Sequence, residues 1–403
     1  MIQNNRQPGE SLRYFRAATE FRGDAPGTFP IRMRRRHLAT AATFACLVAL
    51  VPAVTSGAPR PAAPAGFFGI APQTGLTPED ARYMKAGGID SVRLSLVWAA
   101  IQPTAKSPYD WSSFDAALEI ASRAGLEVLP SIGSPPKWVV RKPTTMPVDS
   151  AKQRGAWQAF LRAAVARYGP GGEFWKLHRT EGVNYEPAIP VPKPIKAWQI
   201  WNESNFFYFA FPVSTSRYAK LVTISSQAIK SVRPGAKVVL SGLFGEPTAG
   251  GNRGMPASTF LDRLYAVPGL KTRFDGVSLH PYAVDAETLE EIVEEFHQVS
   301  VDNRDRPGLY ITEIGWGSEN NFQEVAFEQG IQGQVRQLRD SYTYLLENQR
   351  RLNLKQVYWF SWKDLKGLCT FCDSVGFFRE GPRFKPKPAW HAFVALSGGR
   401  ARP

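Results

Sequence analysis

"WQIWNESN", Trp198 to Asn205, joins an apolar and aromatic run to an amide and a carboxylate side by side, with more aromatics behind them. The first half reads as a strand. A strand buried in a sheet has no solvent to offer Glu203 unless it ends there and the carboxylate looks into a cavity. Functional groups at the C-terminal ends of strands are how parallel α/β barrels build their sites, so the question becomes whether the flanking chain repeats the strand-then-helix unit.

It does so in both directions. Upstream, "FFGI" (67–70) leads to "LTPEDARYMKAGG", where Thr77 caps a helix, Pro78 takes its first position and glycines close it. "SVRLSLVW" (91–98) leads to a helix beginning near Asp110 and ended by Gly125, and "LEVLPSIG" (126–133) to a Pro-rich loop and "AWQAFLRAAVARYG". Downstream of 197–203, strands at 237–242, 274–282, 309–316 and 356–364 each precede a helical pattern or, for the last, a loop and a short terminal helix. Eight strands alternating with helices predict a (β/α)8 TIM barrel, with one catalytic domain over 66–400. A doubly wound open sheet would more often use fewer strands and carry a glycine-rich nucleotide turn after the first, and no GxGxxG or GxxxxGK[ST] occurs.

The formal charge of +14 over 403 residues suggests anionic partners until its position is considered. Residues 1–65 hold nine Arg and three acidic residues, a net of +6, which leaves +8 for the body. That remainder is spread out, with no basic stripe interleaved with aromatics, so no nucleic-acid partner is expected. "IRMRRRH" runs into "LATAATFACLVALVPAV", with small residues at Ser56 and Ala58, the pattern of a signal cleaved after Ala58. Arg35 and Arg36 before His37 and Leu38 are weakly like a twin-arginine signal. The 17-residue run Leu38–Val54 is marginal as a bilayer span. Residues 1–65 are therefore expected to be an export segment ending in a Pro/Ala linker, with translation beginning at Met1 or Met33. The expected location is secreted or associated with the cell envelope, with no stable membrane span after cleavage. Cys46 would leave with the signal, and Cys369 and Cys372 read as a disulfide clipping a loop rather than a redox centre or half a zinc site.

Strand ends then supply a consistent set of side chains: Arg93 on the second strand, Trp138 after the third, Asn202 and Glu203 at the fourth, His280 and Tyr282 at the sixth, Glu313 at the seventh, and Trp359 and Trp362 on the eighth. Taken singly, such residues are more often a loop cap, a core histidine, a buried ion pair or hydrophobic bulk. Together, two glutamates ending the fourth and seventh strands can face each other across a barrel mouth. Glycoside cleavage needs such a pair, one protonated to donate to the departing oxygen and one ionised to attack the anomeric carbon. Arg93 and Tyr282 would keep Glu313 ionised, and Glu203, beside that charge, would be held protonated. No metal or organic cofactor is called for. In "NFFYFAF" (205–211) most rings are expected to plug the loop, with one or two free to stack on a leaving sugar.

"WQIWNESN" with "YITEIGW" resembles clan A of the retaining glycoside hydrolases, whose catalytic carboxylates end strands four and seven, and is most similar to their family 39, with family 5 next. The likeness covers residues 66 to about 395. It implies Glu203 as general acid/base, Glu313 as nucleophile, and Asn202 on the sugar 2-hydroxyl. It also implies support for the nucleophile from Arg93, His280 and Tyr282, and sugar platforms at Trp138 and a strand-eight Trp. Ser204 stands where that family more often has Pro. The expected partner is a carbohydrate. Transglycosylation on the same scaffold and a non-catalytic carbohydrate-binding barrel are the alternatives. Sugar, linkage, exo or endo action and oligomeric state are not encoded legibly.

Overall fold

A computed structural model of the chain describes residues 63–403 apart from 180–186, 248, 322, 324 and 368–370. The signal pattern and Cys369 lie outside the described residues; Cys372 is disulfide-bonded. Among the described residues, eight parallel strands close in sequence order: β1 Phe68–Ile70, β2 Ser91–Val97, β3 Glu127–Gly133, β4 Ala197–Ile200, β5 Lys237–Phe244, β6 Gly276–His280, β7 Gly308–Ile314 and β8 Leu354–Trp359. β1 pairs with both β2 and β8, which seals the barrel. The principal helices are α1 Pro78–Ala86, α2 Trp98–Ile101, α3 Ser112–Arg123, α4 Ala151–Tyr168, α5 Glu173–Leu177, α6 Thr215–Val232, α7 Ala257–Tyr265, α8 Ala286–Asp302, α9 Gly330–Asn348 and α10 Pro388–Ser397. No described helix is long and apolar enough to cross a membrane.

Local chemistry sets several boundaries. At α1, Thr77 and Asp80 form a reciprocal capping box, which satisfies two amide groups that the first turn would otherwise leave unpaired. A second box, Ser150 with Gln153, starts α4 at Ala151, well before the Ala156 at which apolar periodicity becomes visible. β4 ends at Ile200, three residues short of the expected Glu203, because Trp201 adopts φ 75 and Glu203 φ 39. That left-handed backbone cannot continue a ladder.

Alternation along the strands divides the core in two. Phe68, Ile70, Val92, Ile132, Trp198 and Val357 point outward and pack under the helices. Inside the barrel, Ala71, Leu129 and Tyr358 are covered by Ala197, Tyr310 and Phe360. The interior also contains a layer that apolar patterning does not announce: Arg93, Ser131, Gln199, Ser278 and Thr312, all buried and bonded to one another across five strands.

Two register shifts matter for the site. Val239 and Gly242 of β5 face Gly276 and Ser278 of β6, and Ile311 and Ile314 of β7 face Val357 and Trp359 of β8. Each puts three residues against two, the signature of a bulge, which bends a strand and re-aims a side chain. On β7, strict alternation from Thr312, which faces inward, would send Glu313 out among the helices. The extra residue turns it back over the mouth.

Candidate active site

Glu203 follows β4 on the tight turn 201–205, which several contacts hold. Trp201 donates its amide to Ile132 O at 2.8 Å and Glu203 its own to Gly242 O at 3.1 Å. Ser204 and Ser241 hydroxyls lie 2.7 Å apart. Buried Asn205 uses its whole amide, donating to Phe244 O and Met255 O and accepting from Phe244 N. A left-handed non-glycine backbone costs on the order of 1–3 kcal/mol and persists only where the surroundings over-determine it, as they do here.

The turn brings Glu203 against the end of β6 and Glu313 against Arg93. One donor atom each from Glu203, His280 and Glu313 lie within 4.8 Å of one another, and all three side chains are buried. Glu313 Oε1 accepts from Arg93 Nη1 at 2.6 Å and Oε2 from the Tyr282 hydroxyl at 2.8 Å. Arg93 also donates from Nη2 to Asn202 Oδ1 at 2.7 Å and from Nε to Gln199 Oε1 at 2.7 Å. On the other side, His280 Nδ1 lies 2.8 Å from Glu203 Oε1, and its Nε2 lies 2.9 Å from Thr312 Oγ1. Six of the nine residues named from the sequence thus converge at one mouth, Arg93, Asn202, Glu203, His280, Tyr282 and Glu313; half-buried Trp138 stands on the loop after β3, donating its indole N–H to Gln102 O and packing edge-on to Trp98.

The two strand-eight tryptophans are turned away from the mouth. Trp359 is fully buried, its indole N–H on Val375 O and its ring stacked on Phe377 at 5.0 Å. Trp362 lies past the strand end, bonded to Asp80 and edge-on to Trp390. For Trp359 the reason is parity: Tyr358 on β8 and Phe360 just past its end face inward, so Trp359 between them faces the helices, while Trp362 is held away from the mouth by Asp80 and Trp390. The open aromatic at that strand end is half-buried Phe360, 6.3 Å from Tyr282.

The two carboxyls sit in different fields. Burial, then the negative charge of Glu313, holds Glu203 well above the usual carboxylate range, against the opposing pull of Arg93. Glu313 is raised by burial too, but the Arg93 charge and hydrogen bonds from Tyr282 and Arg93 pull it back down. Burial, then Arg93, holds His280 well below its usual value, so its contact with Glu203 is a hydrogen bond of a neutral imidazole rather than an ion pair. Like-charged carboxyls this close cannot both ionise easily. Glu203 is the one that keeps a proton.

The buried polar layer explains how His280 is oriented. Arg93 can only donate, so its bond to Gln199 Oε1 fixes that amide with its NH2 toward Ser278 Oγ at 2.7 Å and Thr312 Oγ1 at 3.1 Å. Thr312 Oγ1 accepts from Gln199, lies 3.1 Å from Ser278 Oγ and 2.9 Å from His280 Nε2, so the imidazole is held between Thr312 on one edge and Glu203 Oε1 on the other. Gln199, Ser278 and Thr312 were missed because a polar residue inside a strand carries no signature in one sequence. The trio Glu203, His280 and Glu313 has the donor types of a metal site. Both oxygens of Glu313 are already engaged by Arg93 and Tyr282, and the guanidinium would repel a cation at 2.6 Å from its ligand.

Comparisons with known proteins agree on the architecture. A family model described as beta-galactosidase, of glycoside hydrolase family 42, matches residues 72–165. No curated protein matches the chain. Among solved structures, the chain is similar to a family 39 glycoside hydrolase from Bacteroides cellulosilyticus, at a TM-score of 0.59 and 20% identity, covering 84% of this chain and 64% of that one. It is also similar to a monomeric beta-xylosidase from Caulobacter crescentus, at 0.56 and 18%, covering 84% and 69%. A third is the GH53 catalytic domain of Ignisphaera aggregans, at 0.56 and 17%, covering 84% and 98%. The chain therefore spans just under two thirds of the length of the family 39 structure. Family 39, which the sequence motifs resemble, is among these neighbours.

Proposed function

We propose that the protein is a retaining glycoside hydrolase that cleaves O-glycosidic bonds of an oligo- or polysaccharide through a covalent glycosyl-enzyme. The observation that carries this reading is the approach of Glu203 and Glu313 to within 4.8 Å in unequal fields. Carboxyl groups about 5–5.5 Å apart suit direct attack by one of them, whereas inversion leaves room for a water at about 6.5–9.5 Å.

In the first step a Glu313 oxygen attacks the anomeric carbon as the bond from that carbon to the leaving oxygen breaks, and Glu203 gives its proton to that oxygen. Loss of that proton leaves Glu203 ionised while Glu313 is tied up as an ester, so the repulsion between them does not return. In the second step Glu203 takes a proton from water, whose oxygen attacks the same carbon and releases Glu313. Glu203 is then protonated again. Asn202, held by Arg93, is placed to bond a sugar hydroxyl beside the reacting centre, and Tyr282 and Arg93 release charge-stabilising hydrogen bonds as Glu313 esterifies. The basic run before an apolar run in the N-terminal 65 residues supports export to the envelope or beyond.

Incubation with activated 2-deoxy-2-fluoro glycosides of several configurations, read by intact mass and peptide mapping, tests the reading. The expected result is a stoichiometric adduct on the peptide containing Glu313, absent in Glu313→Gln. A protein that turns over glycosides yet forms no adduct with the matching fluoro sugar would contradict it.

A further inference from the structure

The exposed aromatic side chains of the described residues all fall in one stretch behind the acid: Tyr208 at 57%, Phe209 at 39% and Phe211 at 41%. Rings left in water forfeit roughly 25 cal/mol for each Å² not buried, and an apolar patch beside a polar pocket marks a binding surface. This one is built rather than frayed. The 201–214 loop is laced to the 245–256 loop by the Phe206–Gly254 bridge, by Phe207 N to Arg253 O at 2.8 Å and by Val213 N to Asn252 O at 2.8 Å.

The patch is continuous with the pocket. Tyr282, on the nucleophile, packs 5.8 Å from Phe244, which stacks 5.0 Å from Phe206, which lies 5.0 Å from Tyr208. Phe206 also donates its amide to the carbonyl of Glu203, so this walk leaves from the side of the group that protonates the departing oxygen. Beyond Phe206, Tyr208 stacks on Phe207 at 4.2 Å, and the Arg253 guanidinium lies over the other ring of that pair, 4.0 Å from the Phe207 centroid. Among the described residues Arg253 has no carboxylate partner. Asp149 is paired with Arg217, and exposed Glu246 forms no ion pair with Arg253 among the described residues.

Resting on the glycosidase reading, we propose that this shelf is a leaving-group subsite for an acidic sugar, a carboxylate-bearing unit whose C–H face stacks on the aromatic rings while Arg253 binds its carboxylate. Aromatic faces take any sugar ring; the unpaired guanidinium, planar and matched to a carboxylate fork, supplies the selection. The substrate class is then a polysaccharide with uronate residues, cleaved where the uronate lies on the departing side.

Binding, read apart from turnover, tests this. In the full chain carrying Glu203→Gln to halt cleavage, dissociation constants are measured by titration calorimetry for polygalacturonate, alginate and hyaluronan, each against its carboxyl-reduced form. At least one acidic polymer is expected to bind tenfold or more tighter than its reduced form. Arg253→Met should remove most of that ratio, and Arg82→Met, an equal charge loss at an exposed position of α1, should keep it. Tyr208→Ala with Phe209→Ala should weaken both forms. Equal binding of every acidic and reduced pair, or equal loss from Arg253→Met and Arg82→Met, would overturn the proposal. A missing fluoro-sugar adduct would instead strike the hydrolytic reading and leave this result standing on its own.

Discussion

Glu203 is the residue on which the chemistry turns, and its proton has a consequence for stability. Above about pH 4.3, the ordinary value for a glutamate, the unfolded chain has released that proton, while the folded protein still holds it because burial and Glu313 raise the carboxyl. The folded state therefore binds more protons in that window, and its stability falls as pH rises toward the folded value. Glu203→Gln keeps an acceptor for His280 and removes the titration. Its melting temperature should match that of the wild type near pH 4 and exceed it progressively toward pH 8. A difference that stays constant between pH 4 and 8 would show that Glu203 ionises as freely in the fold as in the unfolded chain. The glutamates themselves were legible from the sequence because each lies at the C-terminal end of an unmistakable strand pattern. The polar layer behind them was not, since Gln199, Ser278 and Thr312 acquire meaning only when four strands curl around one axis.

Elements act here mainly through irregularity. The β7 bulge aims Glu313, the left-handed turn after β4 aims Glu203, and the β5 shift brings Gly242 against His280. A Cβ on Gly242 would fall 1.9 Å from His280 Nε2 and 2.5 Å from Thr312 Oγ1. Gly242→Ala must therefore push the imidazole off Glu203 or shift the strand. Overpacking of this kind costs about 1–3 kcal/mol, measurable by urea unfolding. Catalysis should suffer most on substrates with poor leaving groups, which depend on the acid that His280 orients; equal losses for good and poor leaving groups would mean the His280 contact is not what matters. Such features explain where strand reading failed. Alternation and caps place strands and most helices to within a few residues, but a one-residue bulge reverses facing without changing the pattern. The two tryptophans at the eighth strand failed for related reasons: aromatic bulk on a strand does not say which face it takes, and Trp359 lies between inward-facing Tyr358 and Phe360, whereas Trp362 falls beyond the strand end, where contacts with Asp80 and Trp390 decide its direction.

At the scale of the molecule, the closed cylinder makes one rim the meeting place of residues from six strands, and its closure was readable from the count of strand and helix units alone. The charge excess reads differently once the fold is known. It reaches the mouth through Arg253 and loops such as 134–150, which carries exposed Lys137 and Arg141. The claim on which all of this depends is that one carboxylate attacks and the other transfers the proton, and azide rescue separates them in a single experiment. With the dinitrophenyl glycoside that the wild type cleaves fastest, Glu203→Ala plus azide should yield a glycosyl azide of the substrate's own anomeric configuration, because azide takes the place of water on an ester at Glu313. Glu313→Ala plus azide should yield the opposite anomer, because azide then attacks in place of the missing nucleophile. The reverse pattern of products, read from the anomeric proton couplings, would contradict the assignment of both residues.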